Sequence, residues 1–282
     1  MDIAIHLGAH RTDEDLLVRT LIENAKRLAR GGIEVPVPGR ARPAIRKALQ
    51  SRGDLSAASL SSELGRDADR LVLSYEGFLA VYAKVLAGTT IYPEAGARAA
   101  ALRALFPGEP VSFYLALRNP ATFVPAVFRA SSVTDFAAFV EGHDMSRIRW
   151  ADPVRAIREA CPDAPLTVWC NEDLPLIWPD VLHAVAGTDQ ALEGEDAILR
   201  EVMTGPGFTR LETYLRDNPA PSRGTWRKVV TAFLGKYADE DKIDEEIALP
   251  GWSEEMIAGL SDLYERDVAE IRAMDDVTFL AP

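Results

Sequence analysis

The residues best suited to chemistry in this chain lie in a short loop close to its beginning. The loop follows an apolar run and precedes a helical pattern, and it contains Gly8, His10, Arg11 and Thr12. A strand, a glycine-bearing loop and a helix in this order leave backbone N–H groups at a helix N-terminus, where an anion binds. Glycine gives the backbone freedom to turn those groups inward, and a cation adds charge. The residue types therefore predict an anion-binding loop.

Two other interpretations of the same loop stay open. Thr12 followed by Asp13, Glu14 and Asp15 is close to a capping box, in which Thr12 is the N-cap and acids occupy the first turn. On this interpretation the loop only starts a helix. A cation held by His10, Asp13 and Asp15 is the other possibility, although no tight ligand spacing supports a metal site.

Glu76 is a second candidate, because it follows another apolar run at residues 70–74. The carboxyl ends of parallel strands meet at one edge of a sheet, so we expect Glu76 beside the first loop. A carboxylate there can accept the proton of a hydroxyl group as a general base. A helix-start acid that favours the helix dipole is the structural alternative.

The segment from His6 to Thr12, His-Leu-Gly-Ala-His-Arg-Thr, resembles the opening loop of the P-loop sulfotransferases. That family loop usually reads His-x-Gly-x-His-Lys-Thr-Gly-Thr-Thr and holds the 5′-phosphosulfate end of 3′-phosphoadenosine 5′-phosphosulfate (PAPS). The match continues at residues 73–76, Leu-Ser-Tyr-Glu, where the family commonly shows Leu-Ser-x-Glu. The resemblance implies that the donor binds at Gly8, His10, Arg11 and Thr12. It also implies catalytic roles for Arg11 and Glu76.

The resemblance places the grip on the nucleotide 3′-phosphate after the strand at residues 111–117. There the family has an arginine and, eight residues later, a serine. Arg118 matches the arginine, but the serine position is Ala126, which cannot donate a hydrogen bond. Arg129, with Ser131 and Ser132, follows closely and could supply part of that grip. A structural arginine bound to carbonyls or a carboxylate is the alternative for Arg118.

The first loop departs from the family pattern at four positions. Arg11 stands where the family has lysine, and Asp13, Glu14 and Asp15 stand where it has Gly-Thr-Thr. Arginine keeps the charge of lysine but not its compact reach. Three carboxylates at the positive end of a helix dipole repel an incoming phosphate dianion. We therefore interpret the donor site as eroded.

Two functions follow from these residues. In the first, the chain is a non-catalytic, sulfotransferase-like protein that binds a small molecule or acts as a scaffold, and it needs no cofactor. In the second, it is an active sulfotransferase that uses PAPS, releases adenosine 3′,5′-bisphosphate (PAP), and transfers a sulfuryl group to a hydroxyl or amine. The residues leave open whether the chain is an enzyme. A P-loop kinase is excluded because no Gly-Lys-Ser/Thr follows the first strand.

The order of apolar and helical segments predicts an α/β fold. Five apolar runs alternate with helical patterns, which favours a doubly wound parallel sheet of about five strands with right-handed crossovers. The sheet core should span residues 1–187, and a helical C-terminal segment, 188–282, should pack on it within the same domain. Helical patterns predict a helix at about 13–30, one or two helices over 43–65 and a helix at about 77–86. Residues 277–280 are expected to add an edge strand.

Composition limits the partners and the compartment. The chain has 282 residues, 48% of them hydrophobic, so it can form a large core. Its net charge of -12 argues against nucleic acid and anionic membranes as partners. No apolar stretch is long enough to span a membrane, and no signal peptide precedes the first strand. Cys161 and Cys170 are expected to be free thiols, and the chain to be cytoplasmic. The sequence does not indicate an oligomeric state.

Overall fold

A parallel sheet lies at the centre of the molecule. The computed structural model describes residues 1–50, 60, 63–65, 68–243, 249 and 251–282. Its strands are β1 (Asp2–Gly8), β2 (Ile33–Glu34), β3 (Arg70–Ser74), β4 (Leu86–Ala87), β5 (Thr90–Ile91), β6 (Val111–Leu117), β7 (Leu166–Cys170) and β8 (Val277–Leu280). Six of them form one sheet in the order β2-β3-β1-β6-β7-β8, and each neighbouring pair is parallel. The predicted α/β class, with its parallel sheet, is confirmed.

Helices cover the sheet, and four short 3-10 turns connect elements at residues 76–78, 82–84, 145–147 and 171–173. In chain order the described α-helices are α1 (Leu16–Glu23), α2 (Ala25–Arg30), α3 (Pro38–Gln50), α4 (Ala95–Ala104), α5 (Pro120–Ala130), α6 (Phe136–Val140), α7 (Ala151–Ala160), α8 (Leu174–Ala186), α9 (Ala197–Val202), α10 (Gly205–Asp217), α11 (Arg223–Tyr237), α12 (Glu240–Ile243) and α13 (Glu254–Arg272).

Both faces of the sheet are buried. In β1, the side chains of Ile3, Ile5 and Leu7 enter one hydrophobic cluster, while Ala4 enters another. All four are completely buried. Because successive side chains of a strand point to opposite faces, a strand covered on both sides is apolar throughout. This explains why the apolar runs in the sequence locate the strands correctly.

Two predicted helices differ in the structure. The helix expected from residue 13 to residue 30 begins at Leu16 and is interrupted at Asn24. The helix expected from residue 77 to residue 86 is absent, because that segment forms two 3-10 turns and then the antiparallel β4–β5 hairpin. Gly88 lies in the hairpin turn with φ 61°, a conformation that glycine adopts easily.

The remaining predictions concern residues 43–65 and the C-terminal part of the chain. Residues 43–50 belong to α3, whereas most of the predicted helical stretch beyond them lies outside the described residues. Beyond residue 188 helices dominate until β8, which pairs with β7 at the edge of the sheet and confirms the predicted edge strand. Cys161 and Cys170 are both buried free thiols.

Candidate functional site

The loop after β1 begins at Gly8, where its backbone lies very close to the segment that follows β3. Gly8 has φ 88°, and a Cβ atom built on it would lie 2.7 Å from the Cα atom of Glu76. The pairing register between β1 and β6 also shifts at this point. Only glycine fits where the loop and the segment after β3 come so close. The structure thus places Glu76 directly beside the loop, as the topology predicts.

The loop continues with unusual backbone angles that delay the helix. Arg11, Glu14 and Asp15 have φ values of 57°, 46° and 65°, which residues other than glycine adopt infrequently. The capping box predicted around Thr12 is therefore wrong. The Thr12 hydroxyl instead donates to the carbonyl of Ala9 at 2.8 Å. The helix begins later because left-handed residues cannot continue an α-helix.

Asp13 supplies a cap of a different kind. Its carboxylate accepts a hydrogen bond from the backbone N–H of Leu17 at 2.9 Å, and its carbonyl accepts one from Leu16 at 2.7 Å. These are N–H groups of the first helical turn, which have no partner within the helix. The chain's own carboxylate thus occupies a position at the helix N-terminus where an anion would bind.

Arg11 is paired within the loop. Its guanidinium lies 2.6 Å from the carboxylate of Glu14, and its backbone N–H donates to Glu76 Oε2 at 3.2 Å. The side chains of Arg11 and Glu14 are 38% and 59% exposed, so solvent screening leaves the ion pair a weak one. An incoming anion could still displace Glu14 at a small cost.

A stronger contact holds the other end of the loop. Arg42 of α3 forms a two-pronged ion pair with Asp15, in which Nη1 lies 3.0 Å from Oδ2. The guanidinium also lies 4.6 Å from the ring centre of Tyr75. Such bidentate arginine–carboxylate pairs have well-defined geometry. Arg42 is a residue that the sequence did not single out, and its partner is a loop residue 27 positions away.

Arg118 supports the loop from the end of β6. Its guanidinium donates to the backbone carbonyl of Arg11 and, through Nε, to the hydroxyl of Thr122 at 3.1 Å. Arg118 thus contacts the backbone of the first loop. Its contacts in the structure are those of an arginine that positions backbone, which was the structural alternative for this residue.

The remaining residues of the predicted 3′-phosphate grip are dispersed. Ala126 is 4% exposed and belongs to the core. Arg129 lies near the far end of α5, about 14 Å along the helix axis from Pro120. The hydroxyl of Ser131 donates to Phe128 at 2.8 Å and accepts from the N–H of Val133, closing that end of the helix. The structure brings Arg118 to the loop and places Arg129 in the last turn of α5.

Glu76 accepts hydrogen bonds from two sides. Tyr82 donates its hydroxyl to Glu76 Oε1 at 3.0 Å, while the Arg11 N–H reaches the other oxygen. Burial, followed by the neighbouring Glu76 charge, raises the pKa of Tyr82 to about 12. Tyr82 therefore keeps its proton near neutral pH and remains a donor.

His10 is the buried residue of this loop, and Tyr92 holds it by two hydrogen bonds. The Tyr92 hydroxyl lies 2.9 Å from the His10 backbone nitrogen, which donates to it, and 2.7 Å from His10 Nδ1. Burial raises the pKa of Tyr92 and lowers the pKa of His10 to about 4. A protonated tyrosine that donates to Nδ1 leaves the imidazole proton on Nε2. His10 is thus a neutral imidazole with one assigned tautomer.

Burial of neutral His10 predicts loss of stability in acid. The folded pKa of about 4 lies below the ordinary value of 6.5, so the unfolded chain binds the extra proton first as pH falls. The stabilising contribution is present above pH 6.5 and declines as pH falls from there towards 4. We expect a loss of about 2 kcal/mol between about pH 7 and about pH 5.

Urea unfolding at a series of pH values measures this loss, and His10→Gln is the comparison. Glutamine keeps an acceptor for Tyr92 but does not titrate in this range. The variant should therefore lose less stability over the same interval. An equal pH dependence in both proteins would contradict the assignment of the effect to His10.

The three side chains proposed as cation ligands bond to separate partners. His10 binds Tyr92, Asp13 binds Leu17, and Asp15 binds Arg42. Within the described ranges, no group of three or more His, Cys, Asp or Glu side chains is arranged to hold a metal ion. Across the same ranges, no helix combines the length and apolar character that a membrane span requires.

Sequence reasoning missed Arg42, Tyr82 and Tyr92. Each contacts a loop residue or Glu76 from a separate segment, and nothing in local spacing indicates such a contact. Tyr92 has φ 50°, a conformation that is exceptional for a bulky residue. Its backbone N–H donates to Val85 at 2.7 Å, which helps to hold that conformation. Strain at such a position indicates that the surrounding structure determines it.

No protein-family model matches this chain, and neither the curated proteins nor the solved structures searched include a match. The resemblance to the sulfotransferases stays a prediction from the sequence.

Proposed function

We propose that this chain is a sulfotransferase-like protein whose first loop no longer binds PAPS, and that it acts by binding a ligand or as a scaffold. One observation carries the proposal: the charged groups of the loop already have partners within the chain. Glu14 pairs with Arg11, and Arg42 pairs with Asp15. Asp13 caps the helix. The groups that would meet a phosphosulfate have partners within the chain.

The charge balance also disfavours a nucleotide. Asp13, Glu14 and Asp15 place three carboxylates where a dianion would sit, against Arg11 and the more distant Arg42 and Arg118. Each like-charge contact is unfavourable, and the N–H of Leu17 is already engaged. The residues present therefore do not fit the sulfated end of PAPS.

An active sulfotransferase is the second candidate, and a separate observation favours it. Arg11, Glu76 and Arg118 come together around the loop, since Arg11 contacts both of the others. These are the residues to which the resemblance assigns catalysis and phosphate binding. Sulfuryl transfer would require Arg11 to release Glu14 and bind PAPS. The Arg11–Glu14 ion pair is exposed and weak, so it permits this.

Calorimetric titration with PAP separates the two candidates. We expect wild-type protein to bind PAP with a dissociation constant of about 1 mM or weaker, because loop acids repel it. The variant Asp13→Gly/Glu14→Thr/Asp15→Thr should bind at least about tenfold more tightly. Threonine at residues 14 and 15 also disfavours the positive φ values, so it should release the loop from its present conformation.

A charge-only variant provides the matched control. Asp13→Asn/Glu14→Gln/Asp15→Asn removes the negative charges while tolerating the same backbone, and it should gain less affinity than the Gly-Thr-Thr variant. Tight binding of PAP by the wild-type chain, or formation of PAP from PAPS in its presence, would overturn the proposal. If all three proteins bind PAP equally weakly, the wild-type chain still does not bind PAP. The cause is then Ala126, which lacks the serine hydroxyl, and not the acids of the loop.

A further inference from the structure

A cavity lies in the helical C-terminal part of the chain, away from the first loop. It has a volume of about 590 Å³ and is bounded by α8, the segment at 192–196, α9, α10 and α11. This volume lies within the range of small-molecule sites, about 300–1,000 Å³. The cavity is independent of the loop described above, so an inference about it does not rest on the proposed function.

The inner wall of the cavity is apolar and aromatic. Leu199, Phe208 and Leu211 are buried side chains of this wall. Leu215 and Trp226 continue the wall and are partly buried. Such a surface binds an apolar or aromatic body, because water leaves both surfaces on contact.

The acidic side chains of the lining are already compensated. Glu195 lies 2.9 Å from Nε2 of His183 and accepts a backbone N–H at 2.8 Å. Asp196 and Glu212 both pair with Arg200, at 2.8 and 2.9 Å. Each of these carboxylates therefore has a partner in the fold, although Asp196 and Glu212 share one guanidinium.

The arginines of the lining are paired less completely. Arg223 lies 3.4 Å from Asp180, but Arg227 shares that same carboxylate at 2.9 Å. Arg216 pairs with its neighbour Asp217 at 3.3 Å, where both side chains are more than half exposed. Arg223 thus shares its carboxylate and Arg216 pairs in solvent, so a ligand carboxylate can compete for both guanidinium groups.

Of the elements around the cavity, α10 and α11 carry the positive charge, whereas the 192–196 segment is acidic. Residues 205–237 contain six lysines and arginines against two acidic residues, in a chain whose net charge is -12. Arg223 also lies over the ring of Trp226, 5.6 Å from its centre. This contact keeps a guanidinium at the aromatic wall, so one ligand can touch both groups.

We propose that this cavity binds a small organic carboxylate with an apolar or aromatic body. The body would contact Phe208, Leu211 and Trp226, and the carboxylate would bind the guanidinium groups of Arg216 and Arg223. The planar fork of arginine matches a carboxylate in two parallel hydrogen bonds.

Calorimetric titration with naphthalene-2-carboxylate tests the site, with naphthalene-2-carboxamide as an uncharged ligand of the same shape. We expect the carboxylate to bind with a dissociation constant of about 1 mM or tighter. The carboxamide should bind about tenfold more weakly, because it cannot form charge-assisted hydrogen bonds. PAP binding measured on the same protein reports separately on the first loop.

The variant Arg216→Gln/Arg223→Gln should weaken carboxylate binding by about tenfold or more and leave carboxamide binding almost unchanged. Arg210→Gln is the matched control, since Arg210 lies on the same helix but donates to Tyr237 at 2.8 Å and is not part of the cavity lining. Leu215→Trp should reduce binding of both ligands by filling the cavity. Thermal unfolding verifies that each variant is folded.

Three results would overturn the proposal. One is the absence of binding heat at about 10 mM naphthalene-2-carboxylate, well above the expected dissociation constant. Another is equal affinity for the carboxamide, which would remove the role of charge. The third is an equal loss in Arg210→Gln, which would attribute the effect to the general positive field and not to the two lining arginines.

Discussion

Gly8→Ala is expected to lower the free energy of unfolding by about 3 kcal/mol. The new Cβ atom would lie 2.7 Å from the Cα atom of Glu76, and the backbone has φ 88°. A contact this short with backbone, and not with a flexible side chain, forces the segment after β3 to move. Urea unfolding followed by far-UV circular dichroism measures the loss.

Gly108→Ala is a control of matched backbone conformation. Gly108 has φ 80°, but a Cβ atom there would have nothing within 4 Å. Its substitution should therefore cost only the conformational part, about 1 kcal/mol. Equal losses at the two glycines would show that the approach of Glu76 to Gly8 contributes nothing to stability.

Asp267→Ala is expected to cost about 3 kcal/mol of unfolding free energy. Asp267 lies on α13 and is 2% exposed, yet it caps the start of α7. Its carboxylate accepts hydrogen bonds from the backbone N–H groups of Trp150 and Ala151 and from Nε of Arg149. Alanine leaves the two backbone N–H groups buried without their acceptor and creates a cavity, whereas Arg149 keeps its ion pair with Glu270. Chemical unfolding with circular dichroism detects the effect.

Two further substitutions make the cause of this loss specific. Asp267→Asn keeps one acceptor oxygen, so it should recover part of the stability lost in alanine. Glu265→Ala removes an exposed acid from the same helix and should change stability by less than about 0.5 kcal/mol. A similar loss at Glu265 would mean that helix charge, and not the cap on α7, is responsible.

The sheet is the part of the fold that the sequence predicts best. β1, β3, β6 and β7 are covered on both faces, so burial requires apolar residues at nearly every position. That requirement is local and appears directly as apolar runs. The edge strand β8 was also found from its composition, because its apolar residues follow the last helix immediately.

The start of α1 was predicted three residues too early, because contacts with a distant part of the chain set the conformation of the loop before it. Asp13, Glu14 and Asp15 are typical residues of a first helical turn. In the structure, Asp15 instead pairs with Arg42, which lies on a separate helix. Partners supplied by tertiary structure decided the conformation of the loop.

The segment between Phe78 and Leu86 illustrates a second kind of failure. Its apolar residues suit a helix, and Val85 and Leu86 are indeed buried. The Gly88 turn, however, directs the chain into a hairpin. A glycine between two short apolar segments is a hairpin signal, and it was available in the sequence.

Topology was enough to predict which site residues converge. Gly8, Glu76 and Arg118 follow three neighbouring strands, so their meeting at one edge needs no knowledge of side chains. The side-chain partners of Arg118, Glu76 and His10 were not predictable, because Thr122, Tyr82 and Tyr92 come from segments without a distinctive motif. The role of Arg129 stays a prediction, since its place in the last turn of α5 does not by itself test a contact with phosphate.

The backbone at Glu14 and Asp15 has a consequence for how such a loop can evolve. Their φ values are 46° and 65°, which are unfavourable for a β-branched side chain. A single substitution to threonine at either position should therefore destabilise the loop. The remaining acidic side chains and Arg42 would still stabilise the present backbone conformation of the loop. Stepwise substitution of this loop towards Gly-Thr-Thr would therefore pass through less stable intermediates.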